Sequence, residues 1–195
     1  MKEMVVAGIP RCGTTYVFNS IRGLPNDHPV PYSSPVVKTH GLCPPETMGV
    51  PQAYNTKRVM DAGGKAIFVF GDIENAVISA TIRQYNRWEK TPQYCGFKGR
   101  PEDVSFVSRD DYNFERMFDS WMNSKRPNIL RVRYEALPQL LGKIDEFLGF
   151  EVTWLPWRER MAKTAKVHDQ IRATIRRTYK SLIAKVKAAP DLLIT

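Results

Sequence analysis

Short apolar runs alternate along this chain with stretches in which apolar side chains recur every three or four residues. Residues 4–9 (MVVAGI) are the first run. It is rich in β-branched side chains and stopped by Pro10 and Gly13, which predicts a buried strand. Residues 14–24 then place Val17, Ile21 and Leu24 on one face with Phe18 beside them, and Gly23 and Pro25 close the predicted helix. Four prolines make residues 25–35 a loop. Residues 36–40 (VVKTH) read as a second strand, broken by Gly41, Pro44 and Pro45. Residues 46–64 are irregular apart from a helix near 53–62 and a Gly63-Gly64 turn. Residues 65–70 (KAIFVF) are the clearest central strand, apolar in consecutive positions as a parallel strand covered on both faces is.

Asp72 suits the N-cap of a helix running to about residue 90, with Ile78, Ile82, Tyr85 and Trp88 as its stripe. Residues 91–109 carry Gly and Pro without any period and predict a long loop. A helix over 110–123 turns Phe114, Met117, Phe118 and Trp121 inward, and residues 128–134 (NILRVRY) form a strand. The helix over 138–148 carries Leu140, Leu141, Ile144 and Leu148 up to the stop at Gly149. Val167, Ile171, Ile175, Tyr179, Leu182 and Val186 keep helical period across residues 163–188, which predicts one long amphipathic helix.

Strands separated by helices predict an α/β fold, a parallel β-sheet flanked by helices in three layers. Ligand chemistry in such sheets sits at the carboxyl ends of the strands. The chain has 195 residues, of which 43% are hydrophobic and 25% charged, enough for one core and inconsistent with wholesale disorder. No run of 18 apolar residues is present, so no membrane span is expected. The apolar stretch near the start is too short for the core of a signal peptide. Three cysteines without metal-ligand spacing (Cys12, Cys43, Cys95) predict reduced thiols and a cytoplasmic location.

The net charge of +9 changes the picture through its distribution. Residues 156–195 hold ten Lys/Arg and three Asp/Glu, a net +7, and residues 1–155 carry only +2. The chain therefore divides into a nearly balanced body, 1–155, and a basic C-terminal helical segment, 156–195, packed on the same domain. Such a balance invites an anionic partner.

Three strand ends carry candidate chemistry. GIPRCGTT (Gly8 to Thr15) lies between a strand and a helix, where backbone N–H groups, the helix dipole and two hydroxyls cradle an anion. Gly8 and Gly13 match the spacing of a Walker A loop, but Thr14 takes the Lys slot and the basic side chain is Arg11. In VVKTH, Lys38 and His40 share one face of an extended chain, and a neutral imidazole with an ordinary pKa near 6.5 suits general-base work. In FVFGDIENAVISATIR, Ser79 and Arg83 lie one helical turn apart.

PRCGTTY, VKTH, the strand with its N-A-V-I-S helix, ILRVRYEAL and KIDEFLGFEV occur in this order. Together they resemble the PAPS-dependent sulfotransferase family over roughly residues 4–152. The resemblance implies a P-loop-like fold and the donor 3′-phosphoadenosine 5′-phosphosulfate (PAPS), with PAP as product and no metal. It implies that Arg11, Cys12, Gly13, Thr14 and Thr15 hold the 5′-phosphosulfate and that Tyr16 stacks on adenine. It further implies Lys38 near the sulfuryl group, His40 as base and Ser79 at the 3′-phosphate. Eight residues before Ser79 the family has Arg where this chain has Gly71, so Arg83, Arg87 or the basic C-terminal helix is expected to supply that charge. The C-terminal G-x-x-G-x-W donor element has no counterpart.

The expected reaction is in-line sulfuryl transfer to a hydroxyl or amine of a small-molecule, glycan or peptide acceptor. Glu46 is the next base after His40. Three alternatives remain open on the residues. AIFVFGD, ending in Asp72, passes for a Walker B element of a P-loop nucleoside or small-molecule kinase. Gly71 leaves open a sulfotransferase-like fold that binds nucleotide without turning it over. The basic C-terminal helix suits a nucleic-acid-binding module, which ranks last because it leaves the Thr-Thr loop unexplained.

Overall fold

A computed structural model describes residues 3–23, 36–44, 51–82, 105, 107–157 and 167–195. Its centre is a five-stranded sheet in the order β2-β1-β3-β4-β5. The strands are β1 (Met4–Gly8), β2 (Val36–Thr39), β3 (Lys65–Phe70), β4 (Ile129–Arg133) and β5 (Leu192–Ile194). The helices among the described residues are α1 (Thr14–Arg22), α2 (Pro51–Asp61), α3 (Ile73–Ile82), α4 (Phe114–Met122), α5 (Leu137–Leu148), α6 (Asp169–Thr178) and α7 (Lys180–Ala188). None of them is long and apolar enough to cross a membrane.

β1 to β4 are parallel and β5 is antiparallel to β4, which corrects the all-parallel expectation. The period-2 geometry of a strand splits each run between two cores. Val5, Ala7, Ala66, Phe68, Phe70 and Ile129 face one layer, which draws on α2, α3, α4, α6 and α7. Met4, Val6, Ile67, Val69, Leu130 and Val132 face the other, built from α1 and α5. Consecutive apolar residues in β1 and β3 are thus required by helices on both faces.

Three expectations change in detail. The helix predicted over 110–123 starts at Phe114, because Asp110 is spent as a cap: its two carboxylate oxygens accept the Phe114 and Glu115 N–H groups at 2.9 and 3.0 Å. The single helix predicted over 163–188 is two, α6 and α7, meeting at Tyr179. Its predicted stripe is buried at Ile175, Tyr179, Leu182 and Val186, but Ile171 is 41% exposed. Residues 83–90, with Arg83, Arg87, Tyr85 and Trp88, lie outside the described residues, as do Glu46 and Cys95.

The basic C-terminal segment is held to the body by acids. Glu74 of α3 accepts from Arg172 Nη1 and Arg176 Nε, each at 2.6 Å. Lys185 reaches Glu115 at 2.8 Å and Asp119 at 2.6 Å on α4. β5 then completes the sheet beside β4.

Candidate functional site

With β2 on one side of β1 and β3 on the other, the strand order reverses at β1, the place where ligands bind outside the strand ends in such sheets. The loop leaving β1 lies there. Its path is fixed by three hydrogen bonds: Ile9 N–H to Val69 O at 3.2 Å, Cys12 N–H to Ile9 O at 3.0 Å and Val17 N–H to Gly13 O at 3.2 Å. Two residues take left-handed backbone, Arg11 (φ 69°) and Gly13 (φ 84°). At Gly13 glycine is needed twice over, since a Cβ there would also fall 2.0 Å from the ring of Tyr134. Arg11 has no such freedom, and an L-residue in that region costs about 1–2 kcal/mol.

That strained turn carries Arg11 across to α3, where its Nε donates to Ser79 Oγ at 3.0 Å. The residues of the second strand come in from the opposite side. Lys38 Nζ donates to Thr15 Oγ1 at 2.6 Å. His40 Nδ1 lies 2.6 Å from Gly8 O. A carbonyl oxygen only accepts, so Nδ1 carries the proton and Nε2 holds the ring's lone pair. Arg11, Thr14, Thr15, Lys38, His40 and Ser79 are therefore gathered at one place from β1, α1, β2 and α3.

The electrostatics of this place are one-sided. Gly13 makes no side-chain cap at the start of α1, the first turn of that helix has no acid, and its first N–H groups lack intrahelical acceptors. Among the described residues, Thr14 Oγ1 is buried without a hydrogen-bond partner. Burial, then the neighbouring Arg11 guanidinium, pushes Lys38 down to about 8. His40 is pushed down to about 3 by burial first and then by Lys38 and Arg11, against the opposing pull of the Gly8 carbonyl. This corrects the expectation of an ordinary imidazole: His40 is neutral throughout the physiological range. Two cations, an open helix N-terminus and an orphaned hydroxyl make a site that an anion would stabilise.

Cys12 contributes differently from its neighbours. Its side chain is buried in the core and its N–H is already used inside the loop. Tyr16 packs into an aromatic group, stacked on Trp154 at 6.1 Å and edge-on to Trp157 at 5.2 Å, with its hydroxyl donating to Leu155 O at 2.9 Å. Trp157 in turn lies 4.8 Å from Tyr134. These aromatics border the loop. Tyr134, Trp154 and Trp157 were not among the predicted site residues, because nothing in their spacing ties them to residues 8–16.

At Gly71 the carboxylate of Glu135 takes the space of a side chain. Both its oxygens lie 2.9 Å from where a Cβ would be, and one accepts the Asp72 N–H at 3.1 Å. Asp72 caps α3, its Oδ1 accepting the Asn75 N–H at 2.7 Å. Arg83 lies outside the described residues. No protein-family model and no curated protein matches the chain.

Proposed function

We propose that the protein is a P-loop-like sulfotransferase that moves a sulfuryl group from PAPS to a hydroxyl or amine acceptor, releasing PAP. The observation that carries this reading is the convergence of Arg11, Lys38, His40 and Ser79 on the N-terminus of α1 beside the orphaned Thr14 hydroxyl. The strained φ of Arg11 supports it, because backbone strain persists where function demands the geometry.

In this reading the loop, Thr14 and Thr15 hold the 5′-phosphosulfate. His40 Nε2 accepts the acceptor's proton as its oxygen or nitrogen attacks sulfur, and the bond from sulfur to the phosphate oxygen breaks. Lys38, Arg11 and the α1 N–H groups balance charge on the sulfuryl oxygens and the leaving phosphate, a contribution of about 3–4 kcal/mol for one well-placed donor. Ser79 at the 3′-phosphate is bonded to Arg11 Nε at 3.0 Å, and the guanidinium that Gly71 does not supply is left to Arg83, Arg87 or the basic C-terminal helix. Cys12 and Cys43 are buried thiols outside any disulfide, which fits a reducing, cytoplasmic setting.

Calorimetric titration with PAP against ATP, ADP and AMP tests the donor, and sulfuryl transfer from PAPS to a panel of hydroxyl acceptors tests the reaction. PAP is expected to bind without Mg²⁺ and more tightly than ATP. His40→Ala should lose on the order of 10²–10⁴ in rate while still binding PAP. Tight binding of ATP with Mg²⁺ and none of PAP would select the kinase reading. A loss below tenfold in His40→Ala would remove His40 as the base.

A further inference from the structure

A cavity of about 590 Å³ opens between the start of α3 and the α6–α7 pair, at the carboxyl ends of β3 and β4. Its apolar part is made by Ile73, Ile183 and Val186. Three carboxylates reach it, and each is engaged within the protein. Glu74 accepts from Arg172 and Arg176, Glu135 from the Asp72 N–H, and Asp72 from the Asn75 N–H.

The cations of the cavity are differently placed. Arg133 is pinned: Nε donates to Asp191 at 2.6 Å, and Nη2 donates to Val186 O at 2.7 Å and Ala189 O at 2.6 Å. Its guanidinium lies over the Phe70 ring, and its Nη1 makes no hydrogen bond among the described residues. Lys180 and Lys187 are exposed and form no ion pair among the described residues. They sit seven residues apart on α7 with Ile183 between them, so all three share the face that lines the cavity. A fixed guanidinium nitrogen and two uncommitted ammonium groups thus rim an apolar floor.

We propose that this cavity is a second anion site, taking a phosphate or sulfate ester carried on a ring. The ring packs on Ile73, Ile183 and Val186, and the ester oxygens accept from Arg133 Nη1, Lys180 and Lys187. The cavity adjoins the α1 site through Glu135 at Gly71 and Tyr134 over Gly13. Its occupant is therefore either the far end of the nucleotide held at α1 or a separate ester, and only the first source rests on the sulfotransferase reading.

The test is calorimetry of AMP, adenosine 3′,5′-bisphosphate and phenyl phosphate with the wild type and the Lys180→Glu/Lys187→Glu variant. Lys38→Ala serves as an independent reporter of the α1 site. Charge reversal should weaken bisphosphate or phenyl phosphate by roughly tenfold or more and leave AMP within about twofold. A loss confined to the bisphosphate assigns the cavity to the donor nucleotide. A loss of phenyl phosphate that AMP does not displace assigns it to a separate ester. Equal weakening of all three ligands, or no change in any, overturns the site. Lys38→Ala with unchanged nucleotide affinity would count against the α1 reading while leaving the lysine result to stand on its own. Both lysines are surface side chains, so the fold should hold, and Lys180→Ala/Lys187→Ala gives the same comparison without introduced acids.

Discussion

Lys38 and His40 are two residues apart, and the same neighbourhood weakens both as bases. Burial and Arg11 bring the Lys38 ammonium down to about 8, so its charge is lost within the range where most assays run. An anion bound at α1 favours the charged ammonium and must raise that value. It follows that anion affinity falls as pH rises through about 8, by up to about tenfold per pH unit for one linked proton. Lys38→Arg keeps its charge at all accessible pH and should flatten the curve. PAP titrations between pH 7 and 9 read this directly. A wild-type affinity as flat as that of Lys38→Arg would mean Lys38 does not touch the anion. Burial is the first cause that holds His40 near 3, and a bound anion offsets only the part due to Lys38 and Arg11; under the proposed function, donor binding would raise the basicity of His40 by that part. At this scale the sequence was partly legible. The alternation of an extended chain put Lys38 and His40 on one side, and the Gly-Thr-Thr run marked the loop. The Arg11–Ser79 bond spans 68 residues, and the Tyr134 ring over Gly13 comes from just past β4, 121 residues along the chain; no local spacing encodes either.

Asp110 illustrates how an element's boundary is set by one side chain. Both its oxygens cap α4, yet burial pushes its carboxyl up to about 6, aided by Glu115 and Asp111 and opposed by the two backbone hydrogen bonds. Its folded pKa lies above the unfolded value of about 3.9, so the folded protein holds the extra proton. Stability from this group is full below about 3.9 and is lost as pH rises through about 6. Asp110→Asn fixes a neutral acceptor in its place. Its stability relative to wild type should improve from pH 4 to pH 7 in urea unfolding, and a pH-independent difference would show that Asp110 does not titrate there. Asp110→Ala removes the cap and should cost about 1 kcal/mol. The periodicity of residues 114–121 revealed α4 but not that Asp110 stands outside it. The break between α6 and α7 was equally hidden. No Gly or Pro marks it; Tyr179 is held by packing, its ring 6.1 Å from Phe114 and its hydroxyl donating to Arg109 O at 3.3 Å.

For the molecule as a whole, part of the +9 charge serves to hold the C-terminal segment in place. Arg172, Arg176 and Lys185 close on acids of α3 and α4 that lie 66 to 102 residues earlier, which is why composition alone suggested only a loose anionic partner. The same segment brings β5 to the sheet edge. β5 is three residues long, too short for any period, and exists because β4 offers it a partner. Arg131, fully buried on β4, donates to Trp121 O, Ser124 O and Thr195 Oγ1, and Arg133 reaches Asp191. The register pairs Arg131 with Leu193, midway between the hydrogen-bonded pairs Ile129–Thr195 and Arg133–Asp191. Antiparallel alternation therefore turns the Leu193 N–H toward β4 and the Ile194 N–H away from it. Leu193→Pro should detach β5 and cost about 3 kcal/mol, whereas Ile194→Pro, at a half-exposed position, should cost under about 1 kcal/mol. Because Arg133 rims the cavity beside α7, Leu193→Pro should also weaken whatever anion binds there, and Ile194→Pro should not. Equal unfolding costs for the two variants would mean that β5 is not held in this register and that the C-terminal segment does not fix Arg133 in place.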